Sequence, residues 1–316
     1  MYTSIDELLR KDFYSEETIC DFTVTELRKK IWAKELEILV VFDRICRENN
    51  LKYYLQYGTL IGAVRHKGFI PWDDDVDVEM FRPDYEKAKE ILKQELEPPY
   101  EWQDMYTVLE NPDVRDDTAL KLHPFGKIKN SNTAAIEEPG MPVSVNQGIY
   151  IDIFPIDDAR DDKGFTGEML ELQKEVYYTI FAKDELRRKL IEDKPATIVP
   201  YGDLEKMMDM PLAERFKLFE SLMISYAGKS TMVNNKFYEI RESFPNMCRE
   251  WYDRTVELPV EGIGFSAAEG YESILSTIYG DYMKPVRYGA HTALFDPDNS
   301  YRDYYDGAGQ YIGSLK

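Results

Sequence analysis

Apolar and polar residues along the first part of the chain repeat at spacings that predict a helix, a strand and a second helix. Apolar residues at helical spacing follow Thr25, a residue type that favours helix starts, and continue to about Asn49. We therefore predict a capped helix over this stretch. A short apolar run then predicts a strand at 53–56, and the small residues from Gly58 predict a turn that leads into a short helix at 60–64.

The pattern changes along the rest of the chain from strands to helices. A helix is expected over 83–95, where a proline lies in the first turn, and short strands and loops over 98–145. The segment 148–157 is rich in β-branched and aromatic residues and predicts a strand. The last stretch, 296–316, is expected to be irregular. Apolar residues at helical spacing predict further helices at Glu168–Glu192, Leu212–Tyr226 and Tyr271–Ile278.

These elements predict an α+β fold, in which a mixed β-sheet core is flanked by helices and followed by a mainly helical C-terminal part. We expect an N-terminal segment at 1–24, a catalytic core at 25–160 and a mainly helical region at 161–316 that completes the domain. A chain of 316 residues with 43% hydrophobic residues can bury a large core.

Composition narrows the classes of partner and compartment. The net charge of −20 repels nucleic acid and anionic lipid, so we expect no nucleic-acid partner and only local contact with a membrane. The N-terminus lacks the features of a secretory signal, and no apolar run approaches the roughly 20 residues of a membrane span. Three cysteines without ligand spacing, Cys20, Cys46 and Cys248, favour a reducing cytoplasm and no zinc site. We expect a cytoplasmic protein that can work at the inner face of the membrane.

Two aspartates that alternate with valines form the first candidate for chemistry. In an extended segment, Asp75 and Asp77 would lie on one side, roughly 6 to 7 Å apart along the strand, with Val76 and Val78 in the core. Two adjacent carboxylates repel unless a cation lies between them, and Mg²⁺ (or Mn²⁺) prefers such hard oxygen ligands. We predict a metal site of the kind that phosphoryl-transfer enzymes use.

Other interpretations of the acidic run fit less well. Most acidic runs are solvated loops, but these aspartates alternate with valine rather than with glycine, serine or lysine. A calcium loop of the EF-hand type would need glycine and glutamate where Val78 and Asp84 stand. The metal-binding motif of glycosyltransferases is a closer competitor, but a long nucleotide-binding region would be expected ahead of it.

A third carboxylate, Asp152, lies in the middle of the predicted strand at 148–157. An ionised carboxylate without a partner inside a buried strand is costly. Placed beside Asp75 and Asp77, it would complete a cradle for one or two divalent ions, and such a site supports in-line displacement at phosphorus. The alternative is an edge-strand residue that faces water.

Positive and small residues near these carboxylates are candidates for binding a phosphorylated substrate. Gly58 and Thr59 would let the backbone approach phosphates, while Arg65 and Lys127 would neutralise their charge. His66, Lys67 and Lys129 are weaker candidates of the same kind. No set of histidine, cysteine and aspartate at catalytic spacing accompanies His66, so we do not expect it to be a base.

Four segments together resemble the LicD family. They are GTLIGAVR (58–65), GFIPWDDDVDV (68–78), GIYIDIFPID (148–157) and YGDYM (279–283). Bacterial members are phosphocholine transferases that decorate lipopolysaccharide, teichoic acid or capsule, and the animal fukutins are distant relatives that move ribitol phosphate. The resemblance implies a nucleotidyltransferase-like core, a divalent metal, and transfer of a phospho-alcohol from a CDP-linked donor to a sugar hydroxyl.

Aromatic residues suggest how the transferred group could be held. Quaternary ammonium ions bind the faces of aromatic rings. Trp72 lies next to the aspartates in the sequence, and Tyr279 and Tyr282 lie in the last of the four segments that resemble the LicD family. The family resemblance implies CDP-choline as the donor and a glycan or lipid-linked glycan as the acceptor, whereas the aromatic residues alone do not tell choline from ethanolamine, ribitol or another phospho-alcohol. Two alternatives stay open: nucleotidyl transfer to a small molecule, and a catalytically silent module that binds metal or glycan.

Overall fold

The structure of the chain is a computed structural model that describes residues 4–115, 124–161, 167–225, 227–287 and 293–315. The chain divides into two compact units. Unit 1 comprises residues 1–104, 125–155 and 251–316, and unit 2 comprises residues 105–124 and 156–250. Unit 1 is thus built from three separate stretches of the chain. The functional division at residues 24 and 160 stays a prediction.

Helices and strands both contribute to the described residues, and the α+β prediction is confirmed. The helices are α1 Ile5–Leu8, α2 Glu26–Glu48, α3 Tyr57–Ile61, α4 Arg82–Glu95, α5 Met105–Leu109, α6 Gly167–Phe181, α7 Lys183–Glu192, α8 Tyr201–Asp209, α9 Leu212–Ser225, α10 Lys236–Ile240 and α11 Tyr271–Tyr279, with a π-helix at Gly62–His66 and 3₁₀ helices at Arg249–Tyr252 and Tyr301–Tyr304. The strands are β1 Glu17–Ile19, β2 Phe22–Val24, β3 Tyr54–Leu55, β4 Asp77–Phe81, β5 Tyr100–Gln103, β6 Gly126–Asn130, β7 Ala134–Ile136, β8 Ile149–Asp158, β9 Met232–Asn234, β10 Met247–Cys248, β11 Thr255–Val260, β12 Ile263–Ala268 and β13 Leu294–Asp296.

The sheet of unit 1 has the strand order β5-β6-β8-β4-β3. The pairs β5–β6, β6–β8 and β3–β4 are antiparallel, and β8, which is buried along its whole length, lies between β6 and β4. The register places Lys127 of β6 directly opposite Asp152 of β8. Helix α2 packs against β6 and α4. The predicted strand at 148–157 is confirmed as β8.

Helix α2 shows how the sequence sets an element of unit 1. The Thr25 side chain accepts a hydrogen bond from the backbone N–H of Arg28 and caps the helix, as predicted. Buried apolar residues along one face, such as Leu36, Leu39 and Phe42, hold the helix on the core. The helix ends at Glu48, with Asn49 as its C-terminal cap.

The predicted turn at Gly58 is wrong, because Gly58 and Thr59 are already helical, whereas the helix predicted at 60–64 is present as the end of α3 and the π-helix that follows. Helix α3 begins at Tyr57, whose φ of +47° places the change of chain direction before the glycine. Gln56 caps the helix through its side chain, which accepts from the backbone N–H of Tyr57. The buried Leu60 and Ile61 then hold the helix against the core, and the π-helix at Gly62–His66 follows directly.

Unit 2 contains helices α5 to α10 and the strands β9 and β10, of which β9 pairs with the end of β8. Residues such as Leu170, Ile180 and Phe216 form its apolar core. The predicted helix at 168–192 is two helices, because Ala182 leaves the helical conformation at φ −144° and ψ 39°. The chain between the prolines at 195 and 200 leads into α8, a helix that the sequence did not predict.

Two more predictions concern the end of the chain and membrane spans. Helix α11 confirms the helix predicted at Tyr271–Ile278, whereas the antiparallel hairpin of β11 and β12 was not predicted. In the stretch from 296 onward, the described residues are irregular apart from the end of β13, the 3₁₀ turn Tyr301–Tyr304 and a single antiparallel bridge between Tyr305 and Tyr311. Among the helices that the structure describes, none has the length and apolar character to span a membrane.

Candidate active site

The aspartate segment lies in unit 1 at the start of β4. The strand begins at Asp77, so Asp73, Asp74 and Asp75 lie in the irregular segment before it, and the predicted strand is shorter than its sequence pattern suggested. Asp77 is buried and Asp75 is half-buried. Burial, reinforced by the nearby carboxylates of Asp75, Asp152 and Asp73, holds the pKa of Asp77 well above its usual range. The influence of Asp75 and Asp152 on the pKa of Asp77 indicates that the three predicted carboxylates lie near one another.

Asp152 reaches the site from the middle of the adjacent strand. Its backbone N–H donates a hydrogen bond of 2.8 Å to the carbonyl of Val76, one residue before Asp77. The carboxylate is buried, and its Oδ1 lies 3.1 Å from the ammonium of Lys127. Burial raises the pKa of Asp152 to about 6, although the charge of Lys127 opposes the shift. Asp152 is therefore a buried member of the cluster rather than a residue that faces water.

Lys127 provides a positive charge at this cluster. Its Nζ lies 3.1 Å from Asp152, 3.4 Å from Oε2 of Glu137 and 3.5 Å from the centroid of the Tyr150 ring. The Tyr150 hydroxyl donates to Glu137 at 2.7 Å. Burial lowers the pKa of Lys127, but Asp152 and Glu137 outweigh burial, so the pKa is raised. The structure thus places the predicted residue Lys127 in direct contact with the carboxylates.

Gly58 and Thr59 connect α3 to the aspartate segment. A Cβ atom at position 58 would lie 2.2 Å from Oδ2 of Asp73, so only glycine permits this approach. The Thr59 hydroxyl accepts a hydrogen bond of 2.8 Å from the backbone N–H of Asp77. Both predicted residues therefore contact the aspartate segment itself.

Sequence reasoning missed the part of α2 that holds this segment. The carbonyl of Asp73 accepts hydrogen bonds from Arg28 at 2.7 Å and from the Trp32 indole at 2.9 Å. Arg28 also lies 3.7 Å from a carboxylate oxygen of Asp74, and the Trp32 ring stacks on Phe69. The four-residue spacing of Arg28 and Trp32 on one helix face was the available signal.

Glu35 of the same helix adds another buried carboxylate. Burial raises its pKa well above the usual range, and the charges of Asp75, Asp74 and Asp73 raise it further. Within the part of the chain that the structure describes, its Oε2 has no hydrogen-bond partner. The acidic character of the site therefore extends onto α2.

The structure places Arg65 and Trp72 against other parts of unit 1. The Arg65 guanidinium donates to the carbonyls of Tyr282 at 2.6 Å and Lys284 at 3.3 Å. The Trp72 ring meets Phe22 edge to face, and the guanidinium of Arg287 lies 5.7 Å from its centroid. Arg65 therefore helps to hold the predicted closing motif, and Trp72 already has a cation of the chain beside it.

The donor chemistry of the cluster fits a hard divalent cation. Its candidate ligands are the carboxylates of Asp75, Asp77 and Asp152, of which the last two are buried, and their mutual repulsion is what a divalent ion would relieve. Across the described ranges, no three His, Cys, Asp or Glu side chains are arranged to hold an ion, and Asp152 is paired with Lys127. The three-carboxylate metal site stays a prediction.

Comparisons with known proteins agree with the resemblance predicted from the sequence. Residues 50–187 match the family model described as LicD/FKTN/FKRP, nucleotidyltransferase domain. The chain is 26% identical to the lipopolysaccharide cholinephosphotransferase LicD of Haemophilus influenzae over 265 residues, which are 81% of this chain and 93% of that protein. It is also 49% identical over 47 residues to uncharacterized proteins of Rickettsia prowazekii and Rickettsia typhi, 15% of this chain in each case.

Proposed function

Because residues 50–187 form a LicD-type nucleotidyltransferase domain, we propose that the chain transfers a phospho-alcohol from a CDP-linked donor to a sugar hydroxyl. Phosphocholine is the group we favour, and a cell-surface glycan or its precursor is the acceptor. The H. influenzae relative is named as a lipopolysaccharide cholinephosphotransferase, which supports this choice. Teichoic acid and capsule are acceptors of the same chemical class.

One structural observation supports the proposal in addition to the family match. The buried carboxylates of Asp77 and Asp152 and the half-buried carboxylate of Asp75 influence one another's charge inside the matched residues, and Asp152 contacts the ammonium of Lys127. A purely structural core has no need of several carboxylates that raise one another's pKa. A site that holds a divalent cation against phosphate oxygens has such a need.

Asp75, Asp77 and Asp152 would hold Mg²⁺ or Mn²⁺. When bound, such an ion supplies positive charge to the phosphate oxygens and to the oxygen that leaves. Lys127 would neutralise a further phosphate oxygen while it keeps Asp152 oriented. Arg28 and Trp32 hold the Asp73 carbonyl, and Thr59 holds the backbone at Asp77, so the aspartate segment is fixed before substrate binds.

Asp152 has two possible roles in the transfer step. It can act as a metal ligand, or it can accept the proton of the acceptor hydroxyl as the new oxygen–phosphorus bond forms and CMP leaves. Burial raises its pKa to about 6, so the carboxylate is mostly ionised at neutral pH and able to serve in either role. We favour the metal role, because the pKa of the acceptor hydroxyl would be lowered by a divalent ion held by these carboxylates, and its proton could then pass to water without a side-chain base.

Net charge and compartment fit a cytoplasmic enzyme that meets a lipid-linked glycan through a local contact. A net charge of −20 opposes broad adsorption to anionic membranes. The acceptor must therefore be bound by residues near the site, because the surface charge of the protein does not attract an anionic membrane.

Calorimetry with CDP-choline, CDP-ethanolamine, CDP-ribitol, CTP and UDP-glucose, each with Mg²⁺, tests the donor. We expect a preference for cytidine diphosphates, with CDP-choline binding most tightly. Tight binding of UDP-glucose alone would contradict the proposal and support the glycosyltransferase interpretation. Mass spectrometry of the product then distinguishes phosphocholine transfer from nucleotidyl transfer to a small molecule, because the nucleotide stays on the product only in the second case.

A catalytically silent module is the remaining alternative. Such a protein would bind Mn²⁺ or a CDP-alcohol without turnover. A complete assay therefore pairs the binding measurement with release of CMP in the presence of glycan acceptors. Binding without CMP release from any CDP-alcohol would favour the silent module.

A further inference from the structure

Lys129 is a second buried lysine beside the carboxylate cluster. It lies two residues after Lys127 on β6, so the two side chains share one face of the strand. The register places Lys129 opposite Tyr150, and its Nζ lies 5.1 Å from the centroid of the Tyr150 ring. The Tyr150 ring is thus in contact with both ammonium groups. Only 5% of the Lys129 surface is exposed.

The two lysines differ in what they contact. Lys127 lies within ion-pair distance of Asp152 and Glu137. Lys129 makes neither a hydrogen bond nor an ion pair through its ammonium with any residue that the structure describes, and its recorded contact is with the Tyr150 ring. The Lys129 side chain is almost entirely buried, and an ammonium in such surroundings is stabilised when an anion meets it.

The charges that face Lys129 do not remove this cost. Burial and the charge of Lys127 lower the pKa of Lys129 to about 8, while Glu137, Asp152 and Glu101 oppose the shift without cancelling it. Lys129 therefore carries a positive charge at neutral pH, and among the residues that the structure describes no carboxylate forms an ion pair with it. The site is strongly acidic elsewhere, so this positive position stands out.

We propose that Lys129 is a substrate-binding residue whose ammonium binds a phosphate oxygen of the nucleotide-linked donor. The inference rests on the proposed function, because it names how that donor is held. Lys127 keeps its ion pairs with Asp152 and Glu137 while its charge acts on the phosphates, and the donors of Lys129 are available to form the hydrogen bond to a phosphate oxygen. The hydrogen bond from Tyr150 to Glu137 fixes the ring against which both lysine side chains lie.

The test compares Lys129→Met with wild type and with Lys87→Met, which removes the same charge from an exposed position on α4. Calorimetry with CDP, CDP-choline and cytidine, all with Mg²⁺, measures the contribution of the phosphates. For Lys129→Met we expect the Kd of CDP and CDP-choline to rise roughly 10- to 100-fold, the loss typical of a hydrogen bond to a charged group, with the Kd of cytidine unchanged. Lys87→Met should bind all three as wild type does.

Thermal unfolding without ligand distinguishes binding from structural support. Removal of an unneutralised buried charge should leave Tm unchanged or raise it, because methionine keeps the apolar length of the side chain. Lys129→Arg should recover part of the affinity for CDP. A lower Tm together with weaker binding of cytidine and CDP alike would overturn the proposal in favour of a structural role.

The outcomes also separate this inference from the proposed function. If wild type binds CDP-choline and Lys129→Met binds it equally well, the inference about Lys129 is wrong and the proposed function stands. If Lys129→Met binds normally but loses turnover, the residue acts in a later step and the binding role is wrong. If wild type binds neither CDP nor CDP-choline, the proposed function fails and this inference fails with it.

Discussion

The hydroxyl of Thr59 accepts a hydrogen bond of 2.8 Å from the backbone N–H of Asp77. The bond joins α3 to the first residue of β4, and it is buried. Because Gly58 lies next to Thr59 and against the side chain of Asp73, α3 meets the aspartate segment at two neighbouring positions. The geometry of the carboxylates thus depends on a short helix that carries none of them.

Two glycines of this region should respond differently to alanine. In Gly58→Ala the new Cβ would lie 2.2 Å from the end of the Asp73 side chain, and that side chain can rotate away. We therefore expect the unfolding free energy to fall by less than about 1.5 kcal/mol, and kcat to fall clearly because Asp73 is displaced. In Gly62→Ala the Cβ would meet the backbone carbonyl of Gly68 at 2.4 Å, which cannot move alone. We expect that variant to lose about 2 kcal/mol or more. Urea titrations of both variants and steady-state rates check this; equal stability losses would contradict it.

Asp77→Asn should abolish turnover and leave the fold intact. Burial and neighbouring carboxylates already raise the pKa of Asp77, so a neutral amide of the same shape relieves repulsion in the apo protein. Asp75→Asn should behave in the same way. The exposed Asp12→Asn is the matched control for charge. Near wild-type rates at saturating Mg²⁺ in either site variant would show that the metal ligands are wrongly assigned.

Asp152→Asn separates a metal ligand from a proton acceptor. If Asp152 only helps to hold the ion, excess Mg²⁺ should restore much of kcat, because affinity rather than chemistry is lost. If it accepts the proton, a loss of about 10²- to 10⁴-fold should persist at any metal concentration. We expect rescue. Full activity at low Mg²⁺ would exclude both roles.

A pH dependence of stability is expected from Glu79, two residues after Asp77. Burial raises its pKa to about 7 from an ordinary 4.5, partly offset by hydrogen bonds from Tyr57 and Gln56. The folded state therefore holds the proton more tightly than the unfolded state. Its contribution to stability is greatest below about pH 4.5 and falls by roughly 3 kcal/mol as the pH rises through about 7.

The variant Glu79→Gln removes this titration and keeps an acceptor for the Tyr57 hydroxyl. The difference in unfolding free energy between wild type and variant should therefore change between pH 4.5 and 7.5, with wild type losing stability relative to the variant. Urea unfolding at four or five pH values measures it. Parallel curves over that range would show that Glu79 does not titrate there.

The sequence predicted those parts of the site that depend on local patterns. Thr25 caps α2 because a hydroxyl suits a helix start, and β8 is a strand because its residues are β-branched and aromatic. Lys127 lies opposite Asp152 because of the register in which β6 and β8 pair, and that register depends on the packing of the whole sheet. The local pattern therefore named both residues but could not predict their ion pair.

The misjudged turn at Gly58 has a related cause. Glycine at 58 is needed for the close approach to Asp73, which lies 15 positions later, and not for a positive φ of its own. The residue with positive φ is Tyr57, a type that rarely adopts it, and its hydroxyl is held by Glu79. Contacts between residues distant in sequence thus determine both the glycine at 58 and the positive φ of Tyr57, and patterns of neighbouring residues do not predict them.

Unit 1 consists of three separate stretches of the chain, and this limits how far it can fold during synthesis on the ribosome. Tyr252 receives a hydrogen bond at its carbonyl from the Tyr54 hydroxyl and lies 3.2 Å from the Gln56 amide through its own hydroxyl. It belongs to the stretch 251–316, which emerges only after all of unit 2 has been made. Unit 1, which carries the carboxylates, therefore cannot complete its core until the last stretch of the chain has been made. We expect nascent chains that end near residue 187, where the family match ends, to expose Tyr54 and Gln56 and to depend on chaperones.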